Sequence, residues 1–183
     1  MRRCARSYVL VVVVATAALL PACQNDPLTP QLIPGQLPPQ RSVIATVSFG
    51  GFEPDVWVSI PIPLSQVGEL DITVDWTSDD TWMYVHWGNV ECGFDELTKG
   101  NCPFLIRSET KDPKPRILYI DITTPATYYL YLHNVPRQPR LGIGSDNTEA
   151  VSIQLGLTVG ASATASENAV RLGRPLVVRR PGS

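Results

Sequence analysis

Histidine is scarce in this chain, and the scarcity limits its chemistry. Only His86 and His133 occur among 183 residues. Both fall in stretches that read as strands, and no Gly-x-Ser-x-Gly elbow or similar motif supplies either with a nucleophile. The His-Glu-x-x-His pair, the phosphate-binding Gly-x-x-x-x-Gly-Lys loop and a Gly-x-Gly-x-x-Gly turn between strand and helix are also absent. The glycines of segment 142–149 (GIGSDNTE) precede a strand and lack the lysine that a phosphate cradle uses. An enzyme is therefore not expected, and a small envelope hydrolase using His86 or His133 is the weakest of the alternatives. Charge is sparse at 17% of residues, and segment 42–159 carries 7 Lys or Arg against 15 Asp or Glu, a balance of −8. Such an acidic body repels a phosphate backbone, which argues against a nucleic-acid partner. No apolar run is long enough for a transmembrane helix, and no helical pattern of ten residues separates the apolar stretches, so a parallel sheet with crossover helices is excluded.

What is present begins with an address. Arg2, Arg3 and Arg6 precede an apolar run over residues 8–20 (YVLVVVVATAALL). At about 1.5 Å per residue this run spans only ~20 Å, short of the ~30 Å hydrocarbon core, and reads as the apolar part of a signal peptide. The run ends in Leu20-Pro21-Ala22-Cys23, which resembles the lipobox of bacterial lipoproteins. The resemblance implies removal of residues 1–22 and a lipid on Cys23. A single acyl chain binds a bilayer marginally, whereas two or three hold firmly, so the implied partner is a membrane. Gln24 stands where that family uses Asp for inner-membrane retention, which implies the outer membrane or cell surface. Residues 24–41 contain five Pro and four Gln without apolar periodicity, so segment 23–41 is expected to be a lipidated, extended tether. Segment 161–183 is small, polar and finally basic, and is expected to form a disordered tail outside the domain.

With Cys4 lost with the signal peptide and Cys23 assigned to lipid, Cys92 and Cys102 remain as a pair. In an oxidising compartment these two are expected to form a disulfide across CGFDELTKGNC. A zinc set is the competing reading, but there is no neighbouring His or Cys-x-x-Cys spacing to support it.

From residue 43 the pattern is alternation with a period of two, as expected of strands with one buried face. Leu70, Ile72, Val74 and Trp76 oppose Asp71, Thr73 and Asp75. Val151, Ile153, Leu155, Leu157 and Val159 oppose Ser152, Gln154, Gly156 and Thr158. Similar stretches at 43–49, 56–62, 82–87, 104–107, 116–122 and 127–135 bring the total to about eight strands, separated by turn-forming residues. The expected fold is all-β, an antiparallel two-sheet sandwich of jelly-roll type over 42–160. The order Glu53-Pro54-Asp55, LDITVDW, TSDD, WMYVHW, TPATYYLYLHN and VSIQLGL resembles the bacterial pre-peptidase C-terminal domain. That resemblance implies a plain or calcium-stabilised β-sandwich of the kind attached to secreted proteases and found in other exported proteins. The loop around Cys92 and Cys102 is an addition to its pattern.

Two candidate sites follow. If Met83, Val85 and Trp87 point inward with Tyr128, Leu130 and Leu132, then Trp82, Tyr84, His86, Tyr129, Tyr131 and His133 are left on the outside. Such a platform suits a glycan or an envelope protein. The two sets could equally be exchanged, or the rings covered by the cysteine loop or the tether. Asp55, Asp75, Asp79 and Asp80 lie near strand ends, where an oxygen-only set could hold a structural calcium ion or form a solvated acidic rim. No other cofactor is expected. The leading reading is a membrane-anchored, non-catalytic binding or scaffolding module. An accessory subunit of an envelope secretion or transport assembly is its alternative.

Overall fold

The computed structural model describes residues 39–111, 113–160, 172 and 174–178. The expected signal peptide, Cys23 and nearly all of the tether lie outside the described residues. Among the described residues nine strands form two antiparallel sheets. They are β1 (Gln40–Phe52), β2 (Trp57–Leu64), β3 (Gly68–Trp76), β4 (Met83–Gly88), β5 (Ile106–Ser108), β6 (Arg116–Ile122), β7 (Ala126–Asn134), β8 (Glu149–Val159) and β9 (Leu176–Val178). Among the described residues one short helix, α1 (Phe94–Thr98), sits within the cysteine loop.

One sheet has the order β1-β8-β3-β6 and the other β5-β4-β7-β2-β9. Among the first eight strands, every connection except β4 to β5 crosses between the sheets, and this is jelly-roll topology. The alternating stripes explain why the sheets stack. Leu70, Ile72 and Val74 of β3 and Ile153 and Leu155 of β8 are at most 1% exposed, and so are Ile60 and Ile62 of β2 and Leu130 and Leu132 of β7. The inward set on the second sheet is Met83, Val85, Trp87, Tyr128, Leu130 and Leu132, all in one core. Burying each aliphatic side chain of this kind stabilises the fold by about 1.5–3 kcal/mol.

Beyond residue 160 the expectation needs one correction. Leu176–Val178 pair antiparallel with β2, with Trp57 opposite Val178 and Ser59 opposite Leu176, so this part of the tail belongs to the sheet. The reason lies in the edge of β2. Pro61 and Pro63 cannot donate along it, while the stretch from Trp57 to Ser59 accepts a partner strand.

The antiparallel order gathers the connections 53–56, 77–82, 109–115 and 135–148 at one end of the sandwich. Two buried polar residues stitch that end together. Asn134 donates through Nδ2 to the carbonyls of Phe52 and Asn147, each at 2.9 Å, and its own carbonyl accepts from the Asp55 amide at 2.8 Å. Glu149, 1% exposed, accepts from Thr77 Oγ1 at 2.5 Å, from the Ser78 amide at 2.9 Å and from Thr81 Oγ1.

Candidate functional site

Once the inward set is committed to the core, alternation sends the other side chains of β2, β4 and β7 to the outer face of the five-stranded sheet. Register places Trp57, His133 and Tyr84 in one row across it, and Ser59, Tyr131 and His86 in the next. Their rings pack against one another. His133 stacks on Trp57 at 4.3 Å, Trp57 on His86 at 5.7 Å and His86 on Phe104 at 4.3 Å, with interplanar angles of 7°, 20° and 11°. The Arg107 guanidinium closes the column, 4.9 Å above the Phe104 ring. Tyr84 meets both imidazoles edge-on, and Tyr129 stacks on Tyr131 at 6.2 Å.

The cysteine loop covers part of this face. Cys92 and Cys102 form the expected disulfide, with an S–S distance of 2.03 Å and a Cα–Cα distance of 5.9 Å. The loop packs Leu97 and the cystine on Trp57 and Tyr131. The Tyr131 hydroxyl fastens it, donating to the Val90 carbonyl at 2.8 Å and accepting from the Cys92 amide at 2.8 Å. Between loop and sheet remains a groove of about 310 Å³, lined by Trp57, Tyr84, His86, Phe104 and His133, with Asp55 and Glu109 at its rim.

The imidazoles are electrostatically unusual. Burial, with smaller contributions from Arg107 and His133, lowers the His86 pKa to about 3. Burial likewise lowers His133 to about 4, and the Asp55 carboxylate offsets part of that effect. Both rings are therefore neutral at pH 7. His133 Nε2 lies 3.7 Å from Asp55 Oδ1 and His86 Nε2 lies 3.9 Å from Glu109 Oε1, beyond hydrogen-bond distance.

The structure thus brings together five of the six rings named from sequence, Tyr84, His86, Tyr129, Tyr131 and His133, on the outer face that alternation implied. It corrects the picture of an open platform. His86 is 1% exposed and Tyr131 is fully buried, and the faces in the column lie against other rings. Sequence reasoning missed Trp57, Phe104, Arg107 and Glu109. Trp57 carried a usable signal, because it alternates with the inward-facing Val58 and shares the parity of Ser59.

The sixth ring, Trp82, is separate. Immediately before β4, it lines a pocket of about 540 Å³ at the loop end of the sandwich, together with Asp80, Lys111, Arg137, Gln138 and Asn147. Trp57, Trp76 and Trp87 are 7%, 4% and 0% exposed, which leaves Trp82 as the one half-buried tryptophan. Among the described residues its ring meets no other ring.

Several bonds fix the walls of this pocket. The Trp82 carbonyl accepts from the Val135 amide at 3.0 Å, and the adjacent Thr81 hydroxyl is bonded to Ser145 Oγ at 2.8 Å and to the Glu149 carboxylate. Gln138 and Ile143 form a β-bridge, with the Gln138 amide donating to the Ile143 carbonyl at 2.8 Å. Gly144 has φ +79°, and a Cβ there would sit 2.0 Å from the Pro136 carbonyl oxygen, so this turn requires glycine. Burial opposes ionisation of Glu149, but hydrogen bonds from Thr77, Thr81 and Ser78 outweigh it and hold the carboxyl below its ordinary range.

The four aspartates share the loop end without forming one oxygen set. Asp79 pairs with Lys114 at 2.7 Å and Asp80 with Lys111 at 3.2 Å. Asp75 Oδ1 accepts from the Trp76 amide at 2.9 Å, and Asp55 faces His133. Among the described residues no group of three or more His, Cys, Asp or Glu is placed to hold a metal ion.

Fold and sites together define a disulfide-bearing, antiparallel jelly roll with an aromatic groove on a sheet face and a polar pocket at its loop end. No protein-family model and no curated protein matches the chain. Among solved structures, the crystal structure of the Yersinia pseudotuberculosis-derived mitogen is similar, with 16% identity and a TM-score of 0.43 over 73% of this chain and 95% of that one. So distant a likeness bears on neither site.

Proposed function

We propose that the chain is an exported bacterial lipoprotein, anchored to the cell envelope through Cys23, whose jelly roll is a non-catalytic module that binds a glycan or a protein. The observation that carries the binding role is the pocket at the loop end, where Trp82 stands among polar side chains and loops held in place by Glu149 and Ser145. A site whose shape exists before the ligand arrives loses little conformational entropy on binding.

The electrostatics of the sheet groove weigh against catalysis. A general base works best with a pKa near the operating pH, whereas His86 and His133 are pushed to about 3 and about 4. Among the described residues, His86 Nδ1 and His133 Nε2 are buried without a hydrogen-bond partner. Anchoring is supported by the basic start, the apolar run and the lipobox-like Leu20-Pro21-Ala22-Cys23. Kinship with the pre-peptidase C-terminal domain is part of the same reading and rests on motif order.

Membrane fractionation of the native protein and a Cys23→Ser variant, with intact-mass analysis of the mature chain, tests the anchor. The expected result is a diacylated chain beginning at Cys23 that pellets with membranes, and a variant that does not. A mature chain that retains residues 1–22, or an unmodified thiol at position 23, overturns the proposal.

A further inference from the structure

Two of the concave sites on this sandwich, the sheet groove and the loop-end pocket, offer a ligand different chemistry. In the sheet groove the flat faces of Trp57 and His86 are taken up by neighbouring rings, so what faces solvent is ring edges and rim charges. In the loop-end pocket Trp82 meets no other ring among the described residues, and polar groups of both kinds surround it.

We infer that the loop-end pocket is a saccharide site and that its ligand is a short, neutral oligosaccharide stacked on Trp82. This deepens the binding role proposed above and rests on it. The apolar face of a pyranose ring needs a flat partner, which indole supplies, while its rim of hydroxyls needs donors and acceptors in the ring plane. Those are supplied by Gln138 and Asn147 and by two ion pairs, Lys111 with Asp80 at 3.2 Å and Arg137 with Asp146 at 3.6 Å.

The pairing of these charges selects for neutrality. The wall holds two cations and two anions, so an anionic or cationic ligand gains little net attraction and would have to break a pair, whereas a hydroxyl can donate to the carboxylate and accept from its partner at once. A volume of about 540 Å³ lies within the range of small-molecule sites, about 300–1,000 Å³. The backbone that carries Trp82 is fixed before any ligand arrives, by the bond from the Val135 amide to its carbonyl and by the bonds of the preceding Thr81 hydroxyl to Ser145 and Glu149.

The position of Trp82 also provides the readout, because the other three tryptophans are buried. The experiment titrates the full mature chain with neutral gluco-, galacto-, manno- and N-acetylglucosamine trisaccharides, following tryptophan emission and amide chemical shifts. The expected result is a saturable blue shift with at least one of them. That response should weaken by about tenfold or more in Trp82→Ala, recover in part in Trp82→Phe, and persist in Tyr84→Ala in the sheet groove. Saturation unchanged in a folded Trp82→Ala but lost in Tyr84→Ala overturns the inference while leaving the binding module intact. A wild-type protein that binds none of the trisaccharides, or that binds charged sugars such as polygalacturonate in their place, also overturns it. An envelope protein that occupies the pocket and is not displaced by excess trisaccharide does the same. None of these outcomes touches the anchor, which Cys23→Ser tests separately.

Discussion

Acid should unfold this domain through its two histidines before its carboxylates matter. An imidazole with an unfolded pKa near 6.5 and a folded value near 3 or 4 takes up its proton in the unfolded chain first. The stability that each neutral ring contributes is fully present above pH 6.5 and is lost progressively as pH falls toward the folded pKa. Each ring contributes a slope of about 1.4 kcal/mol per pH unit, so the pair gives about 2.7, and moving from pH 6.5 to 4.5 should cost up to about 5 kcal/mol. Asp55 faces His133 and moderates its share of the effect, while Arg107 and the second imidazole add to it for His86. Urea unfolding midpoints at pH 7, 6, 5 and 4.5 measure the slope. A His86→Phe variant keeps a ring in the column between Trp57 and Phe104 but removes one titration, and should halve the slope. A wild-type slope below about 0.7 kcal/mol per pH unit, or a slope unchanged in His86→Phe, would refute the account.

Other perturbations probe the frame. Glu149→Ala removes the acceptor shared by Thr77, Ser78 and Thr81 and should cost about 3 kcal/mol, seen as a fall of about 10 °C in thermal midpoint; a loss under about 1 kcal/mol would show that these bonds do not hold the loop end. Because the folded pKa of Glu149 is lowered, its contribution is present above pH about 4.5 and disappears as pH falls through the folded value, a window below that of the histidines. Replacing Cys92 and Cys102 by Ala reopens a loop of sequence separation 10, which on the chain-entropy model costs about 2.7 kcal/mol, and should expose Tyr131 to solvent quenchers. On the other sheet, a Cβ at Gly156 would sit 2.5 Å from Asp71 Oδ1 and 2.7 Å from Arg41 Nη2, so Gly156→Ala should cost about 1–3 kcal/mol by splitting that ion pair. In an Asp71→Ala background, which makes room, the same change should cost clearly less; equal losses in both backgrounds would remove the steric explanation.

Much of this was legible in the residues because strand geometry is local. A period of two in 70–76 and 151–159 decides which side chains share a face, and a two-sheet sandwich is the economical way to bury such stripes. The pairing of Cys92 with Cys102 was legible by elimination, whereas alternation left two assignments open for β4 and the structure settles on Met83, Val85 and Trp87 inward and Tyr84 and His86 outward. Alternation, however, says nothing of what lies above a face. Whether Tyr131 is open or covered depends on where the loop 89–105 folds back, and whether the face of His86 is free depends on Phe104, which arrives from that loop. Trp82 and Tyr84 have the same parity, yet only the path of residues 135–148 gives Trp82 a pocket of its own. The aspartates likewise reached one end of the sandwich through strand order, but lysines from the β5–β6 connection took two of them as partners. The sequence by itself determined that alternating strands pair into sheets with one apolar face each, since this depends on the nearest neighbours along a strand. The tertiary structure alone decided which surface stays open, because that depends on loops that meet only after the strands have paired.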